Sequence, residues 1–187
     1  MQAASPWVQR WASLAPTGTV LDLACGGGRH ARHFAARGHP VLALDRDPGA
    51  LLEAAGQGIT TLQCDLEDGA APWPFEAGRF AAIVVTNYLH RPLLAMLARS
   101  LAPDGILIYE TFSVGNELLG KPSNPDFLLA EGELLVHAAR HSLRVIAFED
   151  GYIDLPKPAM VQRLCACRSD FPRAKARLGG CEGPFDT

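Results

Sequence analysis

Residues 20–30 read VLDLACGGGRH, an apolar run that ends in three consecutive glycines and then enters a segment of helical character. Ala31, Phe34 and Ala35 recur at helical spacing, and Gly38 marks the end of that helix. Glycines at such a corner let the chain turn sharply and let a ligand approach with no Cβ in the way. The first turn of the helix meanwhile offers unpaired N–H groups. A second apolar run, residues 40–45, follows at once, so the stretch predicts a βαβ unit with the usual right-handed crossover.

Working outward, strand-like runs recur at residues 59–64, 80–86, 105–111, 143–149 and 160–167, which with 19–24 and 40–45 makes seven. The runs TVLDLA, PVLALD, AAIVVT and GILIYE are continuously apolar, as parallel strands covered on both faces are. Another helix is expected over RPLLAMLARSLAPDG, with Pro92 in its first turn and Pro103-Asp104-Gly105 as its stop. Alternation of strand and helix predicts an α/β fold in three layers. Residues 1–169 form one domain in this reading and residues 170–187 a C-terminal tail. The stretch 112–127 (FSVGNELLGKPSNPDF) is far longer than the usual connection of ~4–6 residues, and reads either as a lid facing the substrate or as a solvated connector.

Two acids strengthen the case for a nucleotide site. Asp45, with Arg46 beside it, ends the second strand about twenty residues after the glycines, the spacing at which doubly wound folds set a carboxylate against ribose hydroxyls. Its competing role is to cap the helix that starts near Pro48, which Asp47 could do equally well. Asp65 ends the third strand, where it can accept from an adenine amino group while the N–H of Leu66 meets a ring nitrogen; the alternative is a turn-forming Asp.

Together these residues resemble the class I methyltransferases that use S-adenosylmethionine. Asp22 to Gly28 is similar to their first motif, and Asp45, Asp65-Leu66 and Asn87 fall where their later motifs end strands two, three and four. The resemblance covers about residues 20–167. It implies a Rossmann-like, mostly parallel seven-stranded sheet of order 3-2-1-4-5-7-6 with the last strand antiparallel, and the cofactor over the carboxyl ends of the first four strands. It also implies that Gly26 and Gly28 approach the methionine part and the ribose, and that Asp22 organises the loop. Ala24 departs from the pattern by standing where many relatives carry the loop's first glycine. The short single-domain format is similar to that of the tellurite-resistance and thiopurine-type methyltransferases.

A nicotinamide-dependent dehydrogenase is the main rival, since Gly26-x-Gly28-x-x-Ala31 also fits the dinucleotide fingerprint. Asp22 before the loop and Asp65 after strand three oppose it. So does the lack of a Tyr-x-x-x-Lys pair, because Tyr88 and Tyr109 are followed four residues later by Pro92 and Ser113. A SAM-binding domain without catalysis, serving as sensor or partner, would read identically.

Methyl transfer needs alignment and, for some acceptors, removal of a proton. His90 is the first candidate base, because histidine exchanges protons near neutral pH, followed by Tyr88 and Glu110; a polar histidine at a helix start is the plainer reading of His90. Asn87 is followed by Tyr-Leu-His rather than the Pro-Pro-aromatic turn common among amine methylases of nucleic acids, and no cysteine lies there to attack cytosine. A net charge of −3 gives no basic face for a phosphate backbone, so the expected acceptor is a small molecule and not nucleic acid. Five scattered cysteines without a disulfide framework, an opening free of signal-peptide character and no apolar run of ~20 residues predict a cytoplasmic protein that neither spans a membrane nor holds a metal.

Overall fold

The computed structural model describes residues 2–68 and 73–178. Seven strands form one sheet in the order β3-β2-β1-β4-β5-β7-β6. They are β1 (Val20–Leu23), β2 (Val41–Asp45), β3 (Ile59–Gln63), β4 (Phe80–Thr86), β5 (Leu101–Phe112), β6 (Arg144–Ile153) and β7 (Ala159–Cys167). The first five run parallel to one another, and β7 runs antiparallel to both β5 and β6. This is the order the resemblance implied.

The helices are α1 (Pro6–Trp11), α2 (Arg29–Ala35), α3 (Pro48–Ala54), α4 (Leu94–Ser100) and α5 (Glu133–Arg140). Side chains alternate across a strand, so each apolar run feeds two cores. Leu21, Leu23, Ile83, Val85, Leu107 and Tyr109 pack on one face with Leu97, Leu134 and Ala138 of α4 and α5. Val20, Ala82, Val84, Ile106, Ile108 and Cys165 pack on the other with Trp7, Trp11, Phe34 and Leu51 of α1, α2 and α3.

Several boundaries differ from the expectations. The expected helix over RPLLAMLARSLAPDG is shorter: a 3-10 turn at Arg91–Leu93 leads into α4, and β5 already begins at Leu101, paired with Phe80 before a bulge. Leu101 pairs with Phe80 ahead of Pro103 and Gly105, which read as a stop, and regular pairing resumes at Ile106. The stretch 112–127 is not devoid of regular structure, since it contains 3-10 turns at Asn116–Leu118 and Pro125–Phe127. It is fastened at both ends: Ser113 N–H donates to Met160 O (3.0 Å) and Leu129 N–H to Phe112 O (3.0 Å). Of the expected tail, residues 170–178 carry a 3-10 turn at Arg173–Lys175, and residues 179–187 lie outside the described residues.

Candidate functional site

β1 and β4 are neighbours whose chains depart to opposite sides of the sheet, and such a switch point opens a crevice at the carboxyl ends of the strands. Both strands end on a residue in the left-handed region, Ala24 (φ 51°) after β1 and Asn87 (φ 55°) after β4. Asparagine tolerates that conformation and alanine does so at a cost. Glycine would take the φ of +51° at Ala24 without that cost.

The glycine corner that follows is held from the sheet. Gly28 caps α2 in a left-handed conformation and offers no side chain to the helix's free N–H groups. Asp22, wholly buried in β1, supplies what is missing: its Oδ2 accepts from Ala31 N–H at 2.8 Å. Burial outweighs that hydrogen bond and raises the Asp22 carboxyl to about 7. Beside it lies His30, whose Nε2 accepts from Ser5 N–H (3.2 Å), leaving Nδ1 to donate to Thr86 Oγ1 (3.4 Å). Burial, with Arg29 and His33 nearby, lowers the His30 pKa to about 3.

Asp45 is not the cap of α3. Asp47 fills that role, its carboxylate accepting from Gly49 N–H at 2.8 Å. Asp45 instead accepts from Gly26 N–H (2.8 Å) and Asp47 N–H (3.0 Å), clamping the glycine loop to the end of β2 with lone pairs to spare. Asp65 does form a turn, accepting from Glu67 N–H at 2.9 Å through one oxygen.

These loops enclose a cavity of about 350 Å³, bordered by Ala24, Asp45, Arg46, Asp65, Leu66, Asn87 and Tyr88 among the residues expected at a site. Leu44, Cys64 and Leu89 add apolar wall, and Thr111, Phe112, Pro122 and Phe127 close the side nearest β5. The long connection thus forms part of the roof. Asp22, Gly26 and Gly28 do not border the cavity. Gly26, at φ 51°, has nothing within 4 Å of where a Cβ would stand, whereas a Cβ on Gly28 would come within 2.6 Å of Ala54 Cβ. The need for glycine at 28 is therefore close packing of α2 on α3.

The expected catalytic side chains are not brought together. Glu110 leaves β5 on the face opposite Tyr109, where its Oε2 accepts from Arg163 Nε at 2.6 Å, and Arg163 also reaches Glu149 (3.1 Å). Strand alternation turns it away, and it does not border the cavity. His90 does not border it either; its backbone carbonyl starts the 3-10 turn by accepting from Leu93 N–H. Only Tyr88 does. Burial and a hydrogen bond to Glu67 push its hydroxyl well above the ordinary tyrosine range, so it stays protonated.

Arg91 is a feature the sequence did not announce. It donates twice to Glu133 (2.7 and 2.9 Å) and to the carbonyls of Asp126 (2.8 Å) and Leu128 (2.7 Å), on either side of Phe127. Burial alone would raise the Glu133 carboxyl, but Arg91 and the Ala130 N–H outweigh it and hold it below its ordinary value. Cys165 and Cys167 share one face as their spacing required; both are buried free thiols, and no cluster able to hold a metal occurs among the described residues. No helix of the described residues is long and apolar enough to cross a membrane.

The sheet order, the antiparallel seventh strand and a nucleotide-sized crevice behind an acid-clamped glycine loop define the class I S-adenosylmethionine-dependent methyltransferase fold. The chain has that fold, and residues 20–105 match the family model described as a methyltransferase domain. Among curated proteins it is 28% identical over 145 residues to the protein-L-isoaspartate O-methyltransferase of Chlorobaculum tepidum, covering 74% of this chain. The chain spans only 64% of that relative's length. Among solved structures it resembles TehB from Haemophilus influenzae, with a TM-score of 0.74 at 17% identity over 90% of this chain and 63% of that one. It also resembles 1,6-didemethyltoxoflavin-N1-methyltransferase of Burkholderia thailandensis, solved with bound 1,6-didemethyltoxoflavin and S-adenosylhomocysteine. There the TM-score is 0.62 at 19% identity, over 87% of this chain and 76% of that one.

Proposed function

We propose that this protein transfers the methyl group of S-adenosylmethionine to a small-molecule acceptor. The observation that carries the reading is one cavity bordered both by Asp45, Asp65 and Leu66 and by Phe112, Pro122 and Phe127. Its size lies in the range of small-molecule sites, ~300–1,000 Å³. The residues suit the cofactor: the Asp45 and Asp65 carboxylates have lone pairs left for hydroxyl and amino donors, Leu44, Leu66 and Leu89 suit a flat ring, and nothing crowds Gly26 where a Cβ would stand. When bound, S-adenosylmethionine supplies a methyl on a positively charged sulfur, which an acceptor lone pair takes while the carbon–sulfur electron pair stays on sulfur.

The chain's own contribution is orientation and exclusion of water. Asn87, Tyr88 and Thr111 are polar residues bordering the cavity around the ends of β4 and β5, and Phe112 and Phe127 shield it. Tyr88, protonated, acts there as a hydrogen-bond donor rather than a base. A small acceptor accords with the roofed shape, and the Burkholderia relative takes a small molecule.

Calorimetry is the direct test. S-adenosylmethionine and S-adenosylhomocysteine should bind in the micromolar range and NAD should not; tight NAD binding with none for the sulfur compounds overturns the proposal. Replacing Asp45 by Ala should weaken binding by roughly 1.5–3 kcal/mol, the worth of a charged hydrogen-bond partner. Methyl-labelled cofactor incubated with a metabolite extract then separates a working enzyme from a silent binding domain.

A further inference from the structure

The chain contains only three lysines, Lys121, Lys157 and Lys175. Lys121 and Lys157, from separate segments, border one groove, which also takes in Ser123 and Asn124 and no carboxylate. That groove shares Asn87, Phe112, Pro122 and Phe127 with the cofactor cavity, so it is the cavity's outward continuation. Neither ammonium forms an ion pair with a described residue. A buried asparagine holds the two lysine-bearing segments together: Asn116 Nδ2 donates to Pro122 O (2.9 Å), next to Lys121, and Asn116 Oδ1 accepts from Met160 N–H (3.2 Å), three residues beyond Lys157.

Resting on the methyltransferase reading above, we propose that the acceptor is an organic anion, whose carboxylate or phosphate lies between Lys121 and Lys157. Its apolar body lies along Phe112 and Phe127. Charge is divided along the cleft: Asp45, Asp65 and Glu67 border the inner end, and the two lysines border the mouth. An acceptor with one anionic end is therefore repelled from the inner end and held at the mouth, which fixes which end points inward. Lysine suits this role, being a mobile point charge that follows a ligand's anion without demanding one geometry.

The test uses the full chain with S-adenosylhomocysteine, and benzoate, phenyl phosphate and neutral benzamide as probes, followed by ligand-detected NMR. Benzoate or phenyl phosphate should bind and benzamide should not compete; the preferred anion tells carboxylate from phosphate. In the Lys121→Gln/Lys157→Gln double variant, anion affinity should fall about tenfold, because exposed ion pairs are worth roughly a factor of 1.4 to 5 each. S-adenosylhomocysteine affinity should be unchanged in that variant, which also reports that it is folded. Equal binding of benzamide and benzoate, indifference of the double variant, or no anion binding overturns the proposal. Loss of S-adenosylhomocysteine binding by the parent protein strikes the methyltransferase reading instead, and anion binding measured without it still tests the lysines.

Discussion

Asp22 and His30 lie side by side in the interior, with 3.9 Å between Oδ1 and Nδ1, and their titrations oppose each other. The Asp22 carboxyl is raised from 3.8 to about 7, so between those values the folded chain holds a proton there that the unfolded chain lacks. Its contribution to stability is present at low pH and is lost as pH rises through 7. His30 is lowered from 6.5 to about 3, so in that window the unfolded chain holds the extra proton, and this contribution is lost as pH falls. Between pH 4 and 6.5 folding moves one proton from histidine to aspartate, and the pair contributes almost no pH dependence. Asp22→Asn removes one side of the balance. Denaturant unfolding of that variant should lose stability relative to the parent by up to about 1.4 kcal/mol per pH unit as pH falls from 6.5 towards 4. Parallel pH profiles for the two proteins would show that the pair does not exchange the proton. The resemblance drew attention to Asp22 before the glycines, but nothing drew attention to His30. Nothing in the sequence indicates that Ser5 and Thr86 meet on either side of one ring.

At the level of elements, α2 and α3 are seven residues each and too short to persist without tertiary contacts. Their closeness depends on Gly28, where a Cβ would meet both Ala54 Cβ (2.6 Å) and Ala54 Cα (2.7 Å), and the φ of 73° disfavours any side chain. Gly28→Ala should therefore destabilise the chain by about 2 kcal/mol or more, the scale of overpacking plus left-handed strain, read as a lower urea midpoint. Gly26→Ala meets no neighbour and should cost only the strain of its φ, about 1–2 kcal/mol. Equal costs would deny the packing role. The connection over the cavity poses a different question. Arg91 anchors the carbonyls flanking Phe127, so Arg91→Met should free that side of the roof, raising the acceptor KM or lowering kcat while leaving S-adenosylmethionine affinity within about twofold. Unaltered transfer kinetics would mean that the roof stays in place without Arg91. The length and composition of the connection could be read beforehand, as could its neighbourhood at the end of β5. Its fastening could not, because it depends on Asn116 reaching Met160 and Arg91 reaching Glu133, pairings between residues far apart in sequence.

Across the whole molecule the parallel strands were the most legible feature, since burial on both faces leaves a continuous apolar run, and short α1 was the least. Six residues, PWVQRW, carry too little periodicity to announce a helix, yet Trp7, Val8 and Trp11 are almost wholly buried against the sheet. Trp7 Nε1 donates to Leu164 O (3.3 Å) in β7, and the two indoles meet edge to face at 5.6 Å. Helix α1 therefore lies against the antiparallel end of the sheet, while Ser5, its cap, donates to His30 behind the glycine loop. One short element thus joins the part of the sheet added after β5 to the residues that hold the glycine loop. Trp11→Ala should cost about 3–5 kcal/mol, as for other fully buried aromatic truncations, and lower the melting temperature accordingly. The consequence for the site distinguishes this arrangement from simple loss of core. If α1 also braces the loop, the variant, held well below its melting temperature, should bind S-adenosylmethionine more weakly than the parent. A control truncation on the other face, Leu97→Ala in α4, should lower stability with cofactor affinity kept. Equal affinities in both variants would confine α1 to a packing role.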